Sequence, residues 1–294
     1  MVVSEQYWDR QLETLAPDHL ARVQDHRLQW QIQRCWLASP FYRARIEQAG
    51  LGPRDVRARA DLARLPILTD RDLRADLGAH PPRRSTAVAP PEWWAATRPA
   101  AHPDGGQLVS TDGDLIHQSS LIARALWAFG VRDANGASPR IELRAVDPAT
   151  REAAESAIAA GIARLGPHGH SEADAAPRAT WHVGAPTATI IAPSSASDEP
   201  FLAIGHGRIG TTLAAECDAR LGLHWAEDHF LLEIVDTLSF APAESGAIGG
   251  LVLTHLTREG NPLIRYWTGI KTSLDASPCP CGRTGARSVT IAPI

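Results

Sequence analysis

The segment that decides the fold begins at residue 214 with Ala-Ala-Glu-Cys-Asp-Ala-Arg-Leu-Gly-Leu-His and ends at residue 283 with Cys-Pro-Cys-Gly-Arg. Three of the chain's four cysteines lie in it, and with one histidine they form the set Cys217, His224, Cys279 and Cys281. Three thiolates and an imidazole are a common closed ligand set for structural zinc. The spacing differs from that of a standard zinc finger, so a second interpretation stays open, in which three small buried hydrophobic side chains surround a hydrogen-bonded histidine.

The composition is that of an ordinary globular protein. Apolar residues make up 44%, charged residues 21%, and the formal net charge is −4, which indicates neither a nucleic-acid partner nor an anionic membrane. No apolar run approaches the length of a membrane span, and the N-terminus lacks the basic and apolar regions of a signal peptide. Four cysteines, two of them separated by a single residue, do not make a disulfide framework. We therefore expect a reducing, cytoplasmic location.

Apolar spacing predicts helices early in the chain and strands late. The predicted helices span residues 17–36, 41–48, 112–129 and 149–165, with a short helix after a capping box formed by Thr69 and Asp72. The predicted strands span residues 189–192, 201–204, 230–235, 250–254, 263–267 and 288–291. Helices that alternate with strands and then give way to them predict an α/β protein with mixed sheets. We expect one compound domain, with a helical part at 1–80, a core at 81–210 and a β-rich part at 211–294.

Short motifs at both ends of the chain resemble the phenylacetate–CoA ligases, a branch of the adenylate-forming superfamily. Those near the start are Tyr7-Trp8-Asp9, Ser39-Pro40-Phe41-Tyr42-Arg43 and Asp61-Leu62-Ala63-Arg64-Leu65-Pro66. Those near the end are Glu227-Asp228-His229-Phe230, Pro262-Leu263-Ile264-Arg265-Tyr266 and Cys279-Pro280-Cys281-Gly282-Arg283. The motifs follow the family's order. The resemblance implies the N-terminal domain of an adenylate-forming ligase, and it implies structural zinc at the Cys₃His set.

Members of this family activate a carboxylic acid with ATP and pass the acyl group to CoA, but three nucleotide-binding features are missing here. The family's phosphate loop, rich in Ser, Thr and Gly and ending in a lysine, corresponds to residues 98–105, where Asp104 takes the lysine's place. Prolines there remove N–H donors, and a carboxylate repels phosphate. Residues 203–209 contain neither the tyrosine nor the glutamate of the motif that contacts the adenylate. Ile270 replaces the aspartate that holds the ribose hydroxyls, and it cannot accept those hydrogen bonds.

A fourth feature is the family's C-terminal domain, which carries a catalytic lysine and would follow the Cys-x-Cys motif. We expect this domain to be absent. Lys271 is the only lysine in the chain, and its predicted place on a strand makes it no substitute. The region 81–210 is also shorter than in the family and is expected to be an eroded core. The resemblance therefore predicts a truncated ligase fold that has lost ATP-dependent adenylation when it acts alone, with neither ATP nor CoA as a cofactor.

Three functional hypotheses remain. The first is an enzyme of a biosynthetic pathway that acts without a nucleotide on an aromatic or polycyclic small molecule, since nine tryptophans could line such a cleft. The second is a non-catalytic, zinc-stabilised scaffold that forms a homodimer or binds a partner protein. The third is a residual acyl-CoA ligase that works with another chain.

The candidate catalytic residues of the first hypothesis stand where the family motifs are missing or near them, and they are His102, Asp104, His206, Arg208 and His229. We expect His102 with Asp104, or His206 with His229, to act as general acid and base near neutral pH. For each residue the alternative is a structural role in the core or sequence drift in an unused loop. Zinc with four protein ligands has no open position. We therefore expect the metal only to tie a helix-to-strand turn at 217–224 to the last hairpin of the chain.

Overall fold

A computed structural model of the chain describes residues 6–79, 86–95, 109–131, 140–145, 147–165, 178–183, 201–206 and 208–294. The helices of this part are α1 (Arg10–Glu13), α2 (Pro17–Ala38), α3 (Pro40–Gln48), α4 (Asp70–Ala79), α5 (Asp112–Ala128) and α6 (Pro148–Leu165), with two short 3₁₀ turns at Arg59–Arg64 and Pro91–Trp93. The strands are β1 (Arg140–Ala145), β2 (Arg178–Val183), β3 (Phe201–His206), β4 (Gly210–Glu216), β5 (Leu223–Trp225), β6 (Phe230–Val235), β7 (Gly249–His255), β8 (Tyr266–Thr272), β9 (Arg287–Ser288) and β10 (Ile291–Pro293).

The structure confirms the predicted helices. Local sequence signals explain where these helices start. Pro17 occupies the first turn of α2, where its missing N–H costs no hydrogen bond. Thr111 caps α5 by accepting a hydrogen bond of 3.1 Å from the Asp114 N–H, while the Asp114 carboxylate accepts one from the Thr111 N–H. Thr69 and Asp72 form the same arrangement ahead of α4.

The strands form two sheets, which confirms the mixed α/β class. The first sheet has the order β1-β2-β3-β4-β5-β9, in which β1, β2 and β3 run parallel and the other neighbours are antiparallel. The second sheet, β10-β8-β7-β6, is entirely antiparallel. Helix α6 connects β1 to β2, as parallel neighbours require. Helices α5 and α6 pack against each other and bury Ile122, Leu126 and Ile158 in one core with Trp181 of β2.

The strand predictions hold in part. Those at 201–204, 230–235 and 250–254 are confirmed by β3, β6 and β7. The predicted strand at 263–267 begins only at Tyr266, and the one at 288–291 is divided between β9 and β10, which belong to different sheets. The predicted strand at 189–192 lies outside the described residues. The sequence did not predict strands β1, β2, β4 and β5.

None of the helices in the described ranges combines the length and the apolar character that crossing a bilayer would require. The largest apolar core lies between α2, α3 and the antiparallel sheet, where Leu28 and Ile32 are fully buried with Leu231 and Leu253. This packing holds the N-terminal helices against the segment that carries the metal-ligand motif.

Candidate metal centre and neighbouring cavities

The four predicted metal ligands come together in space. Cys217 follows β4 directly, His224 is the middle residue of β5, and Cys279 and Cys281 lie in the connection between β8 and β9. All four are buried, and their ligand atoms lie within 4.8 Å of one another. One prediction is wrong: the turn at 217–224 connects two strands rather than a helix to a strand. The buried β-branched residues Thr211 and Thr212 favour the extended backbone of β4.

The distances in the cluster match a tetrahedral metal site. The Sγ atoms of Cys217 and Cys279 are 3.8 Å apart. The Cys281 Sγ and His224 Nε2 atoms are 3.4 Å apart. Four ligands at typical Zn–S and Zn–N bond lengths place their atoms roughly 3.5 to 3.8 Å from one another. These two distances suit the ligands of one metal ion, so the cluster could hold a metal such as zinc.

Hydrogen bonds around the cluster orient its ligands. The His224 Nδ1 atom lies 3.0 Å from the Gly285 carbonyl oxygen, which can only accept, so this contact places the ring proton on Nδ1. The Nε2 lone pair then faces the cysteines, as in other histidine-ligated metal sites. The Arg283 backbone N–H donates to the Cys281 sulfur at 3.4 Å.

The pKa values of two of the three thiols are shifted in opposite directions. The hydrogen bond from the Cys217 thiol holds the pKa of Cys281 below its usual value, against the effect of burial and with support from His224. The same hydrogen bond and burial raise the pKa of Cys217. A buried cluster of this kind holds few negative charges by itself, and a divalent cation would supply the charge that several thiolates require.

The cysteine loop is anchored to the N-terminal segment, which the sequence did not predict. The Tyr7 hydroxyl donates to the Cys281 carbonyl oxygen at 2.9 Å. The Arg283 guanidinium pairs with the buried Glu13 carboxylate at 2.7 Å, and the Thr284 N–H donates to the Glu13 carbonyl oxygen. Burial of Arg283 lowers its pKa, but Glu13 and the Cys281 sulfur together outweigh that effect and raise it. We call residues 279–285 the cysteine knuckle.

An open-sided cavity of about 60 Å³ lies beside the knuckle, between α5, β4, β5 and α1. We call it the α5–β4 cavity. Its wall is largely apolar but includes Thr212, Glu227 and the ion pair of Arg124 with Asp228. Both terminal nitrogens of Arg124 bind the Asp228 carboxylate, at 2.8 and 3.0 Å. Burial opposes ionisation of Asp228, but the neighbouring guanidinium lowers the pKa of this carboxyl below its usual range.

A second, smaller cavity contains His229, one of the predicted catalytic residues. The His229 Nδ1 atom lies 2.8 Å from the Thr257 hydroxyl, and its Nε2 atom lies 3.4 Å from Asp228. The ring of His117 meets it edge-on, with centroids 5.3 Å apart. Burial lowers the pKa of His229 to about 3, so the imidazole is neutral at pH 7. We call this the His229 cavity.

His206 and Arg208 form a separate buried cluster. The Arg208 Nε atom lies 2.8 Å from an Asp70 oxygen, which also accepts a hydrogen bond of 2.7 Å from the Tyr266 hydroxyl. The His206 Nδ1 atom accepts a hydrogen bond from the Arg208 N–H, and its ring lies edge-on to Tyr266. Burial, together with Asp70, raises the pKa of Tyr266 above its usual value.

The predicted catalytic residues thus fall into different places. His206 and Arg208 are neighbours, whereas His229 lies against His117 and Thr257. His102, Asp104 and the loop at 98–105 lie outside the described residues. The sequence missed Arg124, Glu227 and Thr257, since only the folded chain brings them to a cavity. The one available signal was the Glu227-Asp228-His229 run of charged and titratable residues between two strands.

Comparison with curated proteins finds two phenylacetate–coenzyme A ligases. The one from Thermus thermophilus is 29% identical, over 94% of this chain and 71% of the relative. The one from Escherichia coli K12 is 25% identical, over 90% of this chain and 69% of the relative. No family model matches the chain.

Among solved structures, crystal structures of 2-hydroxyisobutyryl-CoA ligase share the fold. The complex with 2-HIB-AMP and CoA in the thioesterification state has a TM-score of 0.80 at 20% identity, covering 98% of this chain and 71% of that chain. The postadenylation complex with 2-HIB-AMP has a TM-score of 0.81, covering 70% of that chain. At this level of identity the likeness concerns the fold alone.

Proposed function

Because the chain belongs to the phenylacetate–CoA ligase family, we propose that it is a ligase-like protein that does not carry out ATP-dependent adenylation by itself. In this proposal the scaffold and the metal centre are kept, and the protein acts on an aromatic or polycyclic small molecule without a nucleotide. ATP and CoA are then not its cofactors.

The observation that carries the proposal is the state of the positions that correspond to the family's adenylate contacts. Ile270 is 1% exposed and belongs to the largest apolar core. At this position the chain therefore has no group that could accept hydrogen bonds from the ribose hydroxyls. In the segment aligned with the adenylate motif, the Arg208 side chain is 1% exposed and is engaged by Asp70. Separating this pair would leave the buried Arg208 guanidinium without its Asp70 partner, which is costly, and this argues against a nucleotide in the family's position.

A structural zinc ion is the second part of the proposal. Cys217, His224, Cys279 and Cys281 would bind it, and the matching distances support this assignment. With four protein ligands the ion has no position for substrate or water, so its contribution would be to stability.

His229 is the predicted catalytic residue with the best-supported geometry. Because its pKa is lowered to about 3, the imidazole does not hold an extra proton at pH 7, but 2.8 Å from the Thr257 hydroxyl it can relay one between that hydroxyl and a bound molecule. His117 adds a second imidazole on the same wall, and its Nδ1 atom has no hydrogen-bond partner in the described structure. We assign proton transfer in the proposed reaction to this group.

A scaffold that binds a partner protein, or a second copy of the chain, is the other candidate. It is favoured by three exposed apolar side chains in the β6–β7 connection: Leu238, Phe240 and Ile248 are 89%, 42% and 68% exposed. Apolar side chains grouped on one loop are a common feature of interaction surfaces. If this candidate is correct, Leu238→Ser with Ile248→Ser will abolish an assembly that light scattering detects in the wild type.

Ligand-induced thermal shift and adenylation assays test the main proposal. ATP and AMP should leave the melting temperature unchanged, and a panel of aromatic compounds should contain at least one that raises it in a saturable way. Exchange of pyrophosphate into ATP, measured with aromatic acids, should be at background level. A phenylacetate–CoA ligase assayed in parallel serves as the positive control. A saturable shift with ATP, or acid-dependent exchange, would instead support a residual ligase that works with another chain.

A further inference from the structure

The α5–β4 cavity combines an apolar wall with polar groups whose hydrogen-bonding capacity is not used within the described structure. We infer that it is a binding site for an uncharged molecule with a short apolar body and a carboxamide-type head group. This inference deepens the proposed function, on whose small-molecule binding it rests, and names the site and the ligand class.

Arg124 is the first of the polar groups. Its two terminal nitrogens bind Asp228, which leaves its buried Nε–H without a hydrogen-bond partner in the described structure. The hydroxyl of Thr212, a residue that is 5% exposed, also lacks a partner there. Buried polar groups left unpaired are costly and uncommon in folded proteins. A ligand oxygen that accepts from both groups would satisfy them.

Glu227 is the third polar group. This residue is 9% exposed, and one of its carboxylate oxygens accepts a hydrogen bond of 2.6 Å from the Ala286 N–H. Within the described ranges no arginine, lysine or histidine forms an ion pair with it. Burial raises its pKa, against the opposing effects of the Ala286 N–H and of Arg59. A ligand N–H could donate to its second oxygen.

All three residues line the same cavity. Thr212 lies on β4, and Glu227 lies in the turn after β5, where the Ala226 N–H donates to the Leu213 carbonyl oxygen of β4. Asp228, the next residue along the chain, is held by Arg124 from α5. Two donors that are unpaired within the described ranges and one acceptor therefore belong to the wall of a single cavity.

The charges around the cavity favour a neutral ligand. Arg283 is paired with Glu13, and Arg124 is paired with Asp228, so both guanidinium groups on the wall are already compensated. Glu227 would repel an ionised carboxylate at close range. A carboxamide fits better, because its C=O can accept from Arg124 and Thr212 while its N–H donates to Glu227.

The size and lining of the cavity set the ligand's shape. About 60 Å³ is room for a small head group that replaces a few water molecules. The apolar part of the wall is formed by Leu12, Leu20, Leu121, Ala125, Ala128 and Trp225. The short apolar body would extend along these side chains toward the open side.

Calorimetric titration of the full, zinc-loaded chain with phenylacetamide, propionamide and phenylacetate at pH 7.5 tests this inference. We expect saturable binding of at least one amide, and binding of phenylacetate weaker than that of phenylacetamide by about tenfold or more, which corresponds to one lost or repulsive polar contact. Equal affinity for phenylacetate and phenylacetamide, or no saturable binding of any of the three compounds, would overturn it.

Two substitutions place the binding in the cavity. Glu227→Gln should weaken amide binding and reduce the preference for phenylacetamide over phenylacetate, and Thr212→Val should weaken amide binding by about fivefold. Thr180→Val is the matched control, since Thr180 is a threonine of β2 with equal exposure, and its affinity should stay at the wild-type value. Amide affinity that is unchanged in both cavity variants contradicts the proposed site. Detection of ATP-dependent adenylation would sink the proposed function but leave this binding result standing.

Discussion

At the scale of single residues, His224 shows how hydrogen bonds decide which atoms can bind a metal. Its Nδ1 atom is committed to the Gly285 carbonyl oxygen, so only Nε2 is left for the cluster. Cys35, the fourth cysteine, is buried in the apolar core of α2, away from any such arrangement. Burial raises the pKa of its thiol to about 12, which keeps it protonated. Cysteine therefore serves in this chain both as a buried apolar side chain and as a candidate metal ligand, and only the surroundings distinguish the two roles.

Cysteine substitutions should separate these roles. We expect Cys281→Ser to reduce the zinc content from about one ion per chain to nearly none, because a hydroxyl is a poor replacement for a thiolate ligand. Cys35→Ser should keep the full zinc content, even if it lowers stability through its buried hydroxyl. Elemental analysis of the purified proteins gives the answer. Equal zinc loss in both variants, or no zinc in the wild type, would refute the assignment.

His255 should make stability depend on pH. Burial, with Arg258 nearby, lowers its pKa to about 3, and its Nδ1 atom accepts a hydrogen bond from the Leu263 N–H. The unfolded chain therefore binds a proton more readily than the folded one between pH 6.5 and 3. The stability that His255 contributes is complete above about pH 6.5 and is lost as the pH falls toward 3, by up to about 1.4 kcal/mol per pH unit.

Urea unfolding across pH 7.5 to 5 measures this effect. The His255→Gln variant should show a shallower loss of unfolding free energy than the wild type, because Gln does not titrate. Asp114 and His206 also interact with His255 and are retained in both proteins, so the comparison isolates the imidazole. Parallel pH profiles would show that His255 does not carry the proposed proton linkage.

At the scale of elements, the cysteine knuckle is a tight turn shaped by its glycine. Gly282 has φ +76, a backbone conformation that L-residues rarely adopt, and a Cβ at this position would collide with the Tyr7 hydroxyl. Gly246, in the β6–β7 connection, has φ +78 and nothing within 4 Å of the corresponding position. The two glycines therefore share a backbone requirement but differ in their surroundings.

Alanine at these two positions separates the two effects. Gly246→Ala should lower the free energy of unfolding by about 1 kcal/mol, the cost of the left-handed backbone alone. Gly282→Ala should cost distinctly more, since it also displaces Tyr7 from the Cys281 carbonyl oxygen. Removing the hydroxyl with Tyr7→Phe should make the added cost of Gly282→Ala approach that of Gly246→Ala. Chemical denaturation of the wild type, the three single variants and the Tyr7→Phe/Gly282→Ala double variant tests this, and equal losses for both glycines would contradict it.

At the scale of the whole molecule, the Cys₃His cluster joins parts of the chain that are far apart in sequence. We expect a strong chelator to lower the melting temperature by several degrees and added Zn²⁺ to restore it, because metal bound only by the folded state stabilises that state. Mg²⁺ should not restore it, since it prefers oxygen ligands. Differential scanning calorimetry provides the measurement. A melting temperature that is insensitive to the chelator would contradict a structural metal.

Much of this fold could be predicted from local signals. Pro17 in α2 and the Thr111–Asp114 cap of α5 act within one turn of the chain, so the sequence reveals them directly. The strand β1, with the sequence Arg-Ile-Glu-Leu-Arg-Ala, alternates polar and apolar residues as a strand does, but six residues that include Glu and Ala are too weak a signal to identify it alone. It depends on its pairing with β2 after the intervening helix α6.

The candidate site could likewise be predicted from the sequence only in part. Residue types alone indicated the Cys₃His cluster, because thiolates and imidazole have few other shared uses. Arg124 and Asp228 are 104 residues apart, and nothing in either neighbourhood predicts their ion pair. The α5–β4 cavity therefore could not be foreseen, since its wall exists only after α5 has packed on β4.

The separation of the metal ligands also determines the order in which they become available. Cys217 precedes Cys279 by 62 residues, so a chain under synthesis presents a two-ligand half-site long before the set is complete. The hydrogen bond of Tyr7 becomes possible only near the end of synthesis, because its partner Cys281 is 274 residues away. Contacts of such sequence separation form late, after shorter loops have closed. We therefore expect completion of the four-ligand set and docking of the N-terminal segment to come late in folding and to depend on each other.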